Sequence, residues 1–292
     1  MTPSIIELSK RAVMDRLPAR LQTGLRKPRV QARLARATIA HHIDAIAPRQ
    51  SVWTAVRSYP RYMRERRAFE RMGGQRLAWS DDNPQLTDRV ARSPFDPHYT
   101  YQDAWAARKI YASGVDQHVD IGSRISYVVG LTPFVSVTYV DLRPLDVAIG
   151  GLVAQAGNIL SLPFADRSLG SVSCLHVAEH IGLGRYGDEL DVDGTRKAAR
   201  ELQRVLAPSG TLYLSIPVGR PMVAFNAHRV HDPTEIPTWF DELELASFSG
   251  VDDGGAFLVD TTPAVLQTCS WGCGFFEFTR RLSSAPTASK AG

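Results

Sequence analysis

His118-Val119-Asp120-Ile121-Gly122 and Val137-Thr138-Tyr139-Val140-Asp141 are short β-rich runs, each closing on a polar residue or glycine. Two more follow, one ending at Asn158 and one reading Ser171-Val172-Ser173-Cys174-Leu175-His176. Helix-like or turn-like sequence separates them, so strands near 117–121, 135–141, 152–157 and 171–176 alternate with crossovers. That alternation predicts an open parallel sheet, whose ligands bind outside the carboxyl ends of the strands. The polar strand ends then share one crevice. The expected fold is α/β, a Rossmann-like doubly wound, mostly parallel seven-stranded sheet with a helical N-terminal extension.

Working outward, residues 195–207 make the clearest helix. Ala198, Ala199, Leu202, Val205 and Leu206 form its apolar face, and Pro208 and Gly210 end it. Thr211–Pro217 reads as the next strand, and further helices are expected near 95–112, 124–131 and 234–243. Ala256–Val259 and Phe275–Thr279 supply two closing strands that can run antiparallel. Upstream, residues 1–72 read as a basic helical extension with breaks at Pro18, Pro28 and Pro48. Residues 73–94 read as a linker, 95–281 as the Rossmann-like domain and 282–292 as a disordered tail.

The chain has 292 residues, net charge +4 and 44% hydrophobic residues, ordinary for one α/β domain with an appendage. Residues 1–71 carry about +11 and the remainder −7. An arm docking on a membrane surface or an acidic partner is one reading; solvated helix faces are the other. No aromatic platform or finger motif accompanies the charge, which disfavours nucleic acid. The three cysteines do not make a disulfide framework. With no signal-peptide core and no apolar run long enough to span a bilayer, the expected compartment is the cytoplasm.

The strand ends narrow the ligand. Gly122 permits close backbone approach, but Gly122-Ser123-Arg124-Ile125-Ser126-Tyr127 lacks the further glycines that seat a pyrophosphate. Asp141, twenty-one residues beyond Asp120, suits both hydroxyls of a ribose. Asn158 can meet an adenine edge. His176-x-x-Glu179-His180 has zinc-peptidase spacing, yet Gly182, Gly184 and Gly187 deny it the continuous helix that chemistry needs. At a strand end the same residues offer a carboxylate and two imidazoles for proton transfer.

The segment 118–219 resembles the class I S-adenosylmethionine-dependent methyltransferases. The resemblance rests on Asp120-Ile121-Gly122, Asp141, the run 157–164, the run 175–181 and Glu201–Gly210. More narrowly, 176–188 and 225–230 resemble an uncharacterised methyltransferase-like family of bacteria and nematodes. The resemblance implies that Asp120 and Gly122 line the methionine and ribose side, Asp141 the ribose, and Asn158 with Ile159 the adenine. Ser123, Leu142 and His176 complete the expected cofactor set. Glu179, His180 and His228 are the expected catalytic residues. In some methyltransferases acting on vicinal hydroxyls a divalent ion sits at this turn, so a metal held by those three stays open. The implied activity is O-methylation of a sugar, glycan or other small hydroxylated acceptor, the narrower family being associated with polysaccharide genes. The alternative is a non-catalytic scaffold of methyltransferase fold.

Overall fold

The computed structural model describes residues 52–73 and 75–280, so the readings of residues 1–50 and of the tail 282–292 lie outside the described residues. The chain divides into two units between Pro94 and Phe95. The first contains helix α1 (Val52–Arg71). Arg66 of α1 donates from Nε to Asp82 at 2.9 Å and from Nη2 to the Leu77 carbonyl at 2.9 Å. The stretch after α1 is therefore fastened back onto its own helix.

The second unit opens with α2 (Pro97–Ser113). Asp96 caps it by accepting from the Tyr99 N–H, proline stands at its first turn, and Gly114 ends it at φ +68°. Strand β1 (Gln117–Ile121), helix α3 (Ile125–Leu131), β2 (Ser136–Asp141), β3 (Leu152–Ala156) and β4 (Leu169–Leu175) follow. Helix α4 (Gly194–Val205) leads into the long strand β5 (Leu206–Val218). A short hairpin, β6 (Met222–Ala224) with β7 (His228–Val230), stands outside the main sheet. Then come β8 (Leu243–Val251), β9 (Phe257–Leu258) and β10 (Gly272–Arg280).

The sheet order is β3-β2-β1-β4-β5-β10-β8-β9. Strands β1 to β5 pair in parallel, while β10 runs antiparallel between β5 and β8. Seven strands make the expected doubly wound sheet, and two-residue β9 adds an eighth at the edge. The order reverses at β1, with β2 on one side and β4 on the other, which puts the ligand crevice there. Each face has its own core. On one, Ala198, Leu202 and Val205 of α4 meet Val172, Leu212 and Leu214; on the other, Trp105, Ile110 and Val128 meet Tyr139, Tyr213 and Phe275. A fully buried residue such as Leu202 contributes roughly 1.5–3 kcal/mol.

Two elements differ from the sequence reading. The helix expected at 234–243 is one tight turn, Ile236–Trp239, after which Phe240 returns to extended backbone. Strand β8 begins just after it. Ser247, Ser249 and Gly250 give β8 the composition of a turn, and its partner β10 is distant in sequence. Helix α4 also ends at Val205, with β5 taking over through Ser209 at φ +59°. No helix among the described residues is long and apolar enough to cross a membrane.

Candidate active site

The carboxyl ends of β1 to β4 surround a cavity of about 170 Å³ lined by residues that include Gly122, Asp141, Arg143, Ile159, His176 and His180. Strand order dictates the sequence of chemistry along it: the β3 loop with Ile159, the β2 end with Asp141, the β1 turn with Gly122, the β4 end with His176. Gly122 sits at φ +66°, and a Cβ there would lie 3.2 Å from Val177 and 3.8 Å from the Asp141 carboxylate. Only glycine leaves this passage open without strain. Asp141 is held by the Arg143 N–H at 2.8 Å and the Tyr139 hydroxyl at 3.2 Å. Two donors leave free lone pairs on a carboxylate, which has about four acceptor positions.

Of the expected cofactor residues, Gly122, Asp141, Leu142, Ile159 and His176 line the cavity, and Asp120, Ser123 and Asn158 do not. Asp120 is fully buried beneath it. One of its oxygens accepts from the Ser123 N–H at 2.9 Å, and the other takes the Ser173 hydroxyl in a short bond. Ser123 Oγ in turn accepts from the Leu175 N–H at 3.0 Å. These residues lock the β1 turn to β4, so they shape the cavity from behind. Asn158 spends its amide oxygen on the Leu160 N–H at 2.9 Å, closing the β3 turn that presents Ile159.

Burial pushes the Asp120 carboxyl up to about 6. A carboxyl raised in the folded state binds its proton more tightly there than in the unfolded chain. Its contribution is therefore most favourable below about pH 4 and is lost as pH rises through about 6. Asp120→Asn removes this titration. Relative to the variant, the wild type is expected to lose about 2 kcal/mol between pH 4 and pH 6.5. Parallel denaturant melts across that range check it; a constant difference would contradict the assignment.

The fourth strand delivers the reactive groups on a turn. His176 adopts φ +56°, and Ala178–His180 form a single tight turn, so no helix presents the two histidines together. His176 Nδ1 lies 2.7 Å from Glu179 Oε1, and His180 Nε2 lies 3.7 Å from the same oxygen. Burial alone would lower the His176 imidazole, but Cys273 and Glu179 hold it well above its ordinary value. Burial would likewise raise Glu179, yet the His176 imidazolium holds it low. Glu179 Oε2 is buried with no hydrogen-bond partner among the described residues. His180 Nδ1 donates to the Ala227 carbonyl at 2.6 Å, which leaves Nε2 as the basic nitrogen of the neutral ring. His228, expected beside them, packs its ring on Trp271 at 4.2 Å and does not line the cavity; its centroid is 6.5 Å from His180. Burial lowers its pKa.

The loop after His180 closes on itself. Asp188 accepts from the N–H groups of Gly182 at 2.7 Å and Tyr186 at 3.1 Å. A Cβ on Gly182 would come within 2.2 Å of the Asp191 carbonyl, which requires glycine there. The loop carries Tyr186 to the mouth of the cavity, where Arg143 and Arg185 lie over its ring at 5.2 and 5.1 Å. Arg143 carried no signal in the sequence beyond following Asp141. His98 and Tyr99, which gather around His176, come from α2 and were equally hidden, and Cys273 of β10 reaches the same ring.

Residues 165–262 match a family described as "Caenorhabditis protein of unknown function, DUF268". No curated protein matches the chain. Solved structures similar to it include the N-methyltransferase NodS of Bradyrhizobium japonicum WM9 bound to S-adenosyl-L-homocysteine, at 17% identity and TM-score 0.46, covering 73% of this chain and 97% of that one. The YcgJ protein of Bacillus subtilis is similar at 15% identity and TM-score 0.43, covering 61% and 99%. The [4+2]-cyclase SpnF is similar at 13% identity and TM-score 0.48, covering 67% and 85%.

Proposed function

We propose that this chain is an S-adenosylmethionine-dependent methyltransferase acting on a hydroxyl of a sugar, glycan or similar small acceptor. The observation that carries the reading is Asp141. Its half-satisfied carboxylate stands at the β2 end, between the glycine turn of β1 and the Ile159 loop of β3. An adenosyl group laid along this edge would meet Ile159 with its base and Asp141 with its ribose hydroxyls. Its sulfonium end would then approach Gly122 and His176. The residues fit that group, and bound there it supplies the methyl carbon.

The chain's own contribution is alignment and one proton. Holding donor and acceptor in line supplies most of the acceleration of such a displacement. His180 Nε2 would take the acceptor hydroxyl proton, and Glu179 at 3.7 Å would steady the resulting imidazolium. The guanidinium groups of Arg143 and Arg185 at the mouth favour a hydroxylated or anionic acceptor. The positive residues 1–71 suit an anionic surface, membrane or acidic partner, near which the acceptor would be met. Incubating the full chain with methyl-labelled S-adenosylmethionine and fractionated host glycans is expected to place base-stable label on carbohydrate. Label confined to protein or nucleic acid would overturn the acceptor class. Failure to bind the cofactor at all would leave a scaffold of methyltransferase fold.

A further inference from the structure

At the edge of the cavity, where His176 lines it, three side chains from distant parts of the chain bring metal-ligand atoms together. They are His98 in the first turn of α2, His176 at the end of β4 and Cys273 in β10, and their donor atoms lie within 4.8 Å of one another. Among the described residues no other group of His, Cys, Asp and Glu converges in this way; Glu179, His180 and His228 do not. We propose that His98, His176 and Cys273 bind a divalent zinc ion.

The His176–Cys273 pair suits the ion. Tetrahedral zinc with Zn–N of about 2.0 Å and Zn–S of about 2.3 Å places its nitrogen and sulfur ligands about 3.6 Å apart. His176 Nε2 and Cys273 Sγ are 3.2 Å apart, so a few tenths of an ångström separates the pair from a coordinating geometry. Two imidazoles and one thiolate form a donor set that zinc accepts and that calcium and magnesium do not.

The surroundings carry the argument further. A metal-bound histidine ordinarily donates its other ring N–H to a carboxylate or carbonyl, which fixes the tautomer and the ring. His176 offers Nε2 to the cluster and holds Glu179 with Nδ1 at 2.7 Å, on a carboxylate that is itself fully buried. His98 has a backbone partner at Trp271 and stacks on His176, the planes 11° apart and the centroids at 5.9 Å. Ser215 Oγ lies 3.3 Å from Cys273 Sγ as a further polar neighbour of the sulfur. His98 is only partly buried, which gives the ion a route in.

Binding is balanced by proton release. Cys273 binds as the thiolate and His176 through a bare Nε2, so the proton that lies between these two atoms leaves to solvent. Three protein ligands leave a tetrahedral ion one position for water. The inference is independent of the methyl-donor reading, because metal binding is read with no cofactor present.

The test is a cobalt(II) titration of chelator-stripped full-length protein, followed by absorbance. A thiolate-to-cobalt charge-transfer band in the near ultraviolet is expected at one ion per chain, and equimolar zinc should abolish it. Cys273→Ser should remove the band, and His98→Ala, at a partly exposed position, should weaken binding about 10-fold or more. Glu179→Gln should cost about 10–100-fold in affinity with the band retained. No band in the wild type at stoichiometric cobalt would overturn the proposal. So would a band that persists in Cys273→Ser, since another cysteine would then be the ligand. Should Cys273→Ser fail to fold, the wild-type titration and His98→Ala still decide the matter.

Discussion

A His180→Ala variant is expected to bind S-adenosylhomocysteine like the wild type and to transfer methyl groups about 10²–10⁴-fold more slowly. The expectation follows from the hydrogen bond of His180 Nδ1 to the Ala227 carbonyl at 2.6 Å. That bond assigns the ring hydrogen to Nδ1 and leaves the Nε2 lone pair for an acceptor proton. Glu179 Oε1, 3.7 Å from Nε2, gains attraction as the ring becomes cationic, so it favours the charge that develops during transfer. The loss should fall on kcat rather than on cofactor affinity. Full turnover in His180→Ala would assign the proton to another group.

Asp141→Ala is expected to weaken S-adenosylhomocysteine binding by more than about 100-fold, corresponding to about 3 kcal/mol for two charge-assisted hydrogen bonds to ribose hydroxyls. Asp141→Asn keeps one acceptor oxygen and should fall between the two. The carboxylate also anchors Arg143 through its N–H at 2.8 Å, so part of the loss in the alanine variant comes from a looser β2 turn. The asparagine variant separates these contributions, since its oxygen can still hold the Arg143 N–H. Unchanged affinity in Asp141→Ala would remove the ribose from this position.

The parallel half of the fold was legible because β1, β2 and β4 are short β-rich runs with a distinct residue at each end. The antiparallel half was less so. Strand β8 hides behind Ser247, Ser249 and Gly250, and its stability depends on β10, which no local pattern reveals. The site divides the same way. Gly122, Asp141 and Ile159 line the cavity because strand ends are local features. Asp120 was as visible as Asp141, but adjacent strands' ends differ in depth, and only packing shows that its carboxylate lies beneath the cavity, bound to Ser123 and Ser173. His228 had the right chemistry, yet its hairpin turns it onto Trp271. Conversely, the meeting of His98 and Cys273 at His176 requires α2, β4 and β10 to be packed together, and spacing along the chain carries no trace of it.

The central claim is that the edge running from Ile159 through Asp141 to Gly122 holds an adenosyl methyl donor. Titration calorimetry of the wild-type chain tests it most directly, with S-adenosylhomocysteine and NAD as separate ligands. One saturable site for S-adenosylhomocysteine and no heat with NAD is the predicted result. Binding of NAD without S-adenosylhomocysteine, or of neither, would contradict it.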